Sequence, residues 1–161
     1  MMLADMRQSR INTKSGVALS VAERGGPEDR PLVLLHGYTD SWRCWEPLLA
    51  SLPGSFRAVA PTHRGHGDSA KPHGGYRFED FARDLRGVVD ELGIERAVVV
   101  GHSMGSLVAM RFALDHPSRV EALVLIGACA TVRGNEAAGA LWRDGVAEMT
   151  DPVDPAFVRA F

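Results

Sequence analysis

The chain's densest chemistry lies in Gly101-His102-Ser103-Met104-Gly105, between the apolar run Val98 to Val100 and a segment of helical period. A serine hydroxyl attacks only when it is exposed beside a base and beside donors for the charge it creates. A sharp strand-to-helix turn exposes it, and glycines two residues to either side let strand and helix approach without Cβ clashes. The following helix aims its positive end where negative charge develops during acyl transfer. The plainer alternative is a serine that caps the helix starting at Met104. The placement favours Ser103 as a nucleophile, with Gly101 and Gly105 as structural residues of the turn.

A tetrahedral intermediate needs two backbone N–H donors from two loops. The second loop is His36-Gly37-Tyr38-Thr39-Asp40, directly after the apolar run Leu32 to Leu35. The expected donors are the N–H groups of Tyr38 and Met104. Gly37 lets the backbone turn toward the oxyanion, and His36 is expected to hydrogen-bond neighbouring loops rather than to transfer protons. His102 adjoins the nucleophile on the strained turn and is expected to point elsewhere.

A third segment, Pro61-Thr62-His63-Arg64-Gly65-His66-Gly67-Asp68-Ser69, is punctuated by glycine. No lysine follows its glycines and no helix starts there at once, which argues against a phosphate cradle. Its two histidines have no carboxylate and histidine at metal-ligand spacing. It reads as a structural loop braced by Arg64 and Asp68. His63, His66 and His73 lie in loops and His116 at a helix end, so none of them is expected to act as general base.

The elements that position these residues follow from hydrophobic periodicity. Gly16 to Glu23 alternates in the manner of a strand near a sheet edge, and Gly25, Gly26 and Pro27 end it. Short continuous apolar runs at Pro31 to Leu35, Phe56 to Ala60, Ala97 to Val100 and Ala122 to Ile126 fit strands buried on both faces. Between them, Phe78, Phe81, Ala82, Leu85, Val88, Val89 and Leu92 form one helical face, with Glu79, Asp80, Arg83 and Asp84 on the other and Gly93 closing the helix. A shorter helix begins near Trp45 with Pro47 in its first turn, and a third runs from after Ser103 to about Leu114. Alternating strands and helices predict right-handed crossovers and a largely parallel sheet covered on both faces. Beyond Ala130, a helix is expected over Asn135 to Met149, and another opening at Asp154-Pro155.

With 161 residues, 45% of them hydrophobic, the chain can bury a core, and a net charge of −2 without charged runs excludes a nucleic-acid stripe. Cys44 and Cys129 show neither metal nor redox spacing and read as reduced thiols. Met1 to Gly16 lacks the apolar core of a signal peptide, and no run is long enough to span a membrane. The expectation is a cytoplasmic protein that acts on a small molecule, without membrane or nucleic-acid partners, cofactor or metal. The oligomeric state stays open.

The serine turn, the His-Gly loop and the Arg64-Gly65-His66-Gly67-Asp68-Ser69 loop, in this order and spacing, resemble the α/β-hydrolase superfamily from roughly Ser15 to Ala130. The resemblance implies an α/β fold with a mostly parallel sheet, residues 1–130 being the N-terminal part of the core and 131–161 the beginning of a helical lid. Thr62, where relatives often have aspartate, and Ser106, often glycine, depart from the pattern. Serine at the turn, rather than aspartate, argues against the haloalkane dehalogenase and epoxide hydrolase branches, which attack with a carboxylate. The activity implied is serine acyl transfer on a small, partly apolar carboxylic ester, an esterase reaction. The alternatives are cleavage of a C–C bond beside a ketone and a non-catalytic binding module. In the family's chain order the triad acid and histidine follow the serine on loops after later strands, so both are expected outside this chain, which reads as a fragment of a longer hydrolase.

Overall fold

The computed structural model describes residues 6–128, together with 134, 136–141 and 143. The chain divides into two compact units, Met1–Cys129 and Ala130–Phe161. In the first, six strands form one sheet: β1 (Met6–Asn12), β2 (Ala18–Arg24), β3 (Arg30–Leu35), β4 (Phe56–Pro61), β5 (Ala97–His102) and β6 (Val120–Ile126). Their order is β1-β2-β4-β3-β5-β6. The pairs β1/β2 and β2/β4 are antiparallel, while β4/β3, β3/β5 and β5/β6 are parallel.

Side chains alternate between the faces, so each strand feeds two cores. Val33, Leu35, Val59 and Val99 pack with α2 (Phe78–Glu91) and α3 (Met104–Asp115) on one face. Leu32, Leu34, Ala58, Ala60, Val98 and Val100 meet Trp42, Trp45 and Leu49 on the other. These last three come from a 3-10 turn at Trp42–Trp45 and from α1 (Glu46–Ser51), whose Pro47 lies in the first turn where its missing N–H leaves no bond unmade. Right-handed crossovers explain the division. From β3 the chain moves one way along the sheet through α1, and from β5 the other way through α3, so the two helices cover opposite faces. The chain thus changes direction between the carboxyl ends of β3 and β5, the usual place for ligands in such sheets.

Three expectations change. Met6–Asn12, which carries no strand signal, is edge strand β1; only Ile11 of its seven residues is buried, so backbone pairing with β2 holds it and no apolar alternation betrays it. The expected strand at Ala122 to Ile126 exists, but among the described residues it is an edge with both faces largely exposed, not a doubly buried strand. Asp84, expected on the polar face of α2, is buried. Its carboxylate takes two hydrogen bonds from Arg64, both 2.6 Å, and one from Ser15 Oγ at 2.8 Å. Asp84 thus replaces the expected brace Asp68, whose side chain is exposed and whose carbonyl accepts from Arg10.

In the second unit, α4 spans Glu136–Leu141 within the expected helix. The remainder of that helix, and the helix expected at Asp154-Pro155, lie outside the described residues. No helix among those described is long and apolar enough to cross a membrane.

Candidate active site

Leu35 of β3 pairs with Gly101 of β5, so His36-Gly37 and Ser103 follow the ends of neighbouring strands. Ser103 takes φ 51° and ψ −117°, the single positive φ of a non-glycine residue among those described. Such backbone costs about 1–3 kcal/mol and persists only where its surroundings enforce it. Here they do. The Ser103 N–H donates to Ile126 O at 2.9 Å, and the Ser103 carbonyl accepts from both the N–H of Ser106 (2.9 Å) and its hydroxyl (2.6 Å).

The two glycines answer to crowding. A Cβ at Gly101 would overlap the Gly105 carbonyl and lie 2.7 Å from Ser106 Cα; one at Gly105 would overlap the Leu35 carbonyl and lie 2.7 Å from that of His36. Ser106, fully buried, packs where relatives often have glycine and adds a bond that glycine could not. Ser103 is exposed and makes no side-chain cap to α3, which removes the capping role. No imidazole among the described residues hydrogen-bonds to its hydroxyl.

The His-Gly loop comes within contact of this turn. A Cβ on Gly37 would sit 3.4 Å from Ser103 Cβ and 3.3 Å from His102 Nδ1, and one on Gly127 would sit 3.9 Å from His102 Cδ2. The His102 ring is thus packed between two glycine backbones. Among the described residues the N–H groups of Tyr38 and Met104 donate to no protein acceptor, which leaves one open donor on the His-Gly loop and one at the first residue of α3.

His36 is fully buried, with Nε2 accepting the His63 N–H at 2.9 Å and Nδ1 lying 2.7 Å from the Gly37 carbonyl. Burial drives its pKa down to about 4, against the raising effect of the Gly37 carbonyl, so the ring is neutral at pH 7. Burial, then the neighbouring imidazoles, likewise hold His63 well below the ordinary histidine range. His66 lies with Nδ1 2.9 Å from the Arg64 carbonyl and Nε2 2.6 Å from that of Tyr38. These contacts are what a reading of the glycine-rich loop misses: glycine spacing marks a loop but not where it returns. Among the described residues no group of three or more His, Cys, Asp or Glu side chains is disposed to hold a metal ion. The question left by Thr62 is answered by three bonds. Its hydroxyl accepts from Trp42 N–H (3.1 Å), its N–H donates to Ser20 O (2.8 Å), and its carbonyl accepts from Ser69 Oγ (2.7 Å). Cys44 is half-buried, and burial with nearby Asp40 pushes its thiol up to about 12; Cys129 lies outside the described residues.

A family model described as the alpha/beta hydrolase fold matches residues 30–151. The chain belongs to the α/β-hydrolase family. It is 42% identical over 96 residues to a soluble epoxide hydrolase of Corynebacterium sp. (strain C12), covering 60% of this chain and 34% of that relative. Among solved structures it is similar to an epoxide hydrolase from Vigna radiata, with TM-score 0.76 and 26% identity over 89% of this chain and 48% of the other. It is similar also to a candidate acyltransferase from Salmonella enterica, with TM-score 0.68 and 34% identity over 76% of this chain and 42% of the other. The chain thus spans less than half the length of each of these three proteins. Two of them bear the name of a branch that a serine at the turn argues against, so the chemistry of Ser103 has to decide between the readings.

Proposed function

We propose that this hydrolase acts by serine acyl transfer on a small, partly apolar carboxylic ester. The supporting observation is Ser103 itself, uncapped and exposed on a strained turn between two open N–H donors. In the proposed reaction Ser103 Oγ attacks the carbonyl carbon while a general base takes its proton. The oxyanion rests on the N–H groups of Tyr38 and Met104, and the alcohol departs with a proton. Water then attacks the acyl-serine ester, releases the acid and returns the proton to Ser103. In the family's chain order the base and its acidic partner come from loops after later strands.

Epoxide opening is the competing reaction, because two of the relatives named above are epoxide hydrolases. The product formed at the enzyme separates the two. A carboxylate that opens an epoxide becomes an ester, which water can cleave to regenerate the carboxylate. A serine hydroxyl that opens one becomes an alkyl ether, which water does not cleave under the same catalysis, so turnover would stop after one event. A hydroxyl at this position therefore fits carbonyl substrates, and the similarity to a candidate acyltransferase agrees with it.

The test is labelling of the protein by a fluorophosphonate and turnover of a p-nitrophenyl ester, beside Ser103→Ala. Both should be lost in the variant, turnover by at least about 10³-fold. Ester turnover that survives Ser103→Ala, or multiple turnover of an epoxide that depends on Ser103, would refute serine acyl transfer.

A further inference from the structure

We propose that His36 and His66 are positioning residues that together aim the Tyr38 N–H at the oxyanion, an inference that rests on the acyl-transfer reading above. The argument begins with the His36 tautomer. Its Nε2 accepts the His63 N–H, so the proton sits on Nδ1, which donates to the Gly37 carbonyl at 2.7 Å. That carbonyl belongs to the peptide unit whose N–H is Tyr38. In a planar trans peptide C=O and N–H point in opposite directions, so holding the oxygen on the protein side aims the N–H away from it. Asp40 N–H reaches the same carbonyl at 3.4 Å.

The next peptide is held by the second imidazole. His66 Nε2 lies 2.6 Å from the Tyr38 carbonyl and Nδ1 lies 2.9 Å from the Arg64 carbonyl. Both partners are carbonyl oxygens, so with its proton on Nε2 the ring donates to the Tyr38 carbonyl. The rings facing His66 are His36 at 5.2 Å, Tyr38 at 6.0 Å and His63 at 6.3 Å between centroids. The two peptide units flanking Tyr38 are thus each gripped by an imidazole, although the Tyr38 side chain is itself 48% exposed and little else holds it. The grip is anchored. The loop that carries His63 and His66 is fixed to β2 through Thr62 N–H and Ser20 O (2.8 Å) and to α2 through the buried Arg64–Asp84 pair. An oxyanion donor works by being preorganised, and this arrangement supplies that rigidity to an exposed loop from a buried ion pair.

His66 is half-buried, so it can be exchanged with less risk to the fold than His36. In His66→Phe the ring volume stays and the donor goes; in His66→Gln an amide N–H stands near the position of Nε2. Three quantities are measured in the full-length protein: the ¹⁵N order parameter of the Tyr38 amide without substrate, and kcat and KM for a p-nitrophenyl ester. The Tyr38 amide should stay near about 0.85 in the original protein and fall below about 0.6 in His66→Phe. In the same variant kcat should fall about tenfold with KM within about twofold, a fraction of the 10²–10³ lost when an oxyanion donor is removed outright. His66→Gln should recover most of both. An unchanged order parameter in His66→Phe, a loss of order without loss of kcat, or no recovery in His66→Gln would each overturn the proposal. Ester turnover that persists in Ser103→Ala would instead remove the acyl-transfer reading, and the order parameters would then report the brace alone.

Discussion

At Gly105 the backbone of the turn passes against two carbonyls, that of Leu35 at the end of β3 and that of His36 in the His-Gly loop. One methyl group there must push apart the strand end that carries one part of the site and the helix that carries the other. Gly105→Ala should cost about 3 kcal/mol of stability, read from urea denaturation, and should abolish fluorophosphonate labelling even in protein that remains folded. This residue-scale feature was legible in the sequence because the constraint is local: strand, turn and helix follow within a few residues, and glycine at two fixed positions is its trace. The Ser106 hydroxyl shows the limit of such reading. A serine near the turn is visible in the sequence, whereas its bond to the Ser103 carbonyl emerges only with the geometry.

Between elements the decisive contact is the ion pair of Arg64 in the loop after β4 with Asp84 in the middle of α2. Both are almost wholly buried, the Arg64 pKa is raised by the hydrogen bonds to Asp84, and Arg64 also donates to Gly75 O at 2.7 Å. A buried pair of this kind is weak as a net source of stability, but removing one partner leaves an uncompensated charge. Asp84→Ala should therefore destabilise by about 3–5 kcal/mol, measured by denaturant unfolding, and by far more than Asp68→Ala, whose side chain is exposed. In the sequence Asp68 is the carboxylate near Arg64; the partner lies twenty residues away on a helix face that looks polar. The same reason hid His66 and the Tyr38 carbonyl from each other. Strand β1 is silent in the sequence for the opposite cause: its bonds are to the backbone, so its side chains carry no periodic signal. The apolar runs of β3, β4 and β5 were readable because each is buried on both faces.

For the molecule as a whole, two buried neutral histidines couple folding to acidity. His36 titrates near 4 when folded, against about 6.5 in the unfolded chain, and His63 is shifted in the same direction. The unfolded state therefore binds more protons between those values, and stability present above about pH 6.5 is lost as pH falls toward 4. Three carboxylates are held below their usual range: Asp80 by the Arg77 N–H, Asp90 where Arg119 and Arg86 outweigh its burial, and Asp115 by Arg111. Their contribution is lost only as pH falls below the ordinary 3.8. The urea midpoint should accordingly drop between pH 7 and pH 5; an unchanged midpoint would contradict the neutral burial of His36 and His63. Among the described residues the Ser103 side chain makes no hydrogen bond, while the bonds that shape its turn come from backbone atoms and from the Ser106 hydroxyl. The shape of the turn therefore does not depend on the reagent that it carries. A thiol or a carboxylate in place of the hydroxyl would leave these bonds in place, so a chain with this turn can resemble relatives whose chemistry it does not share.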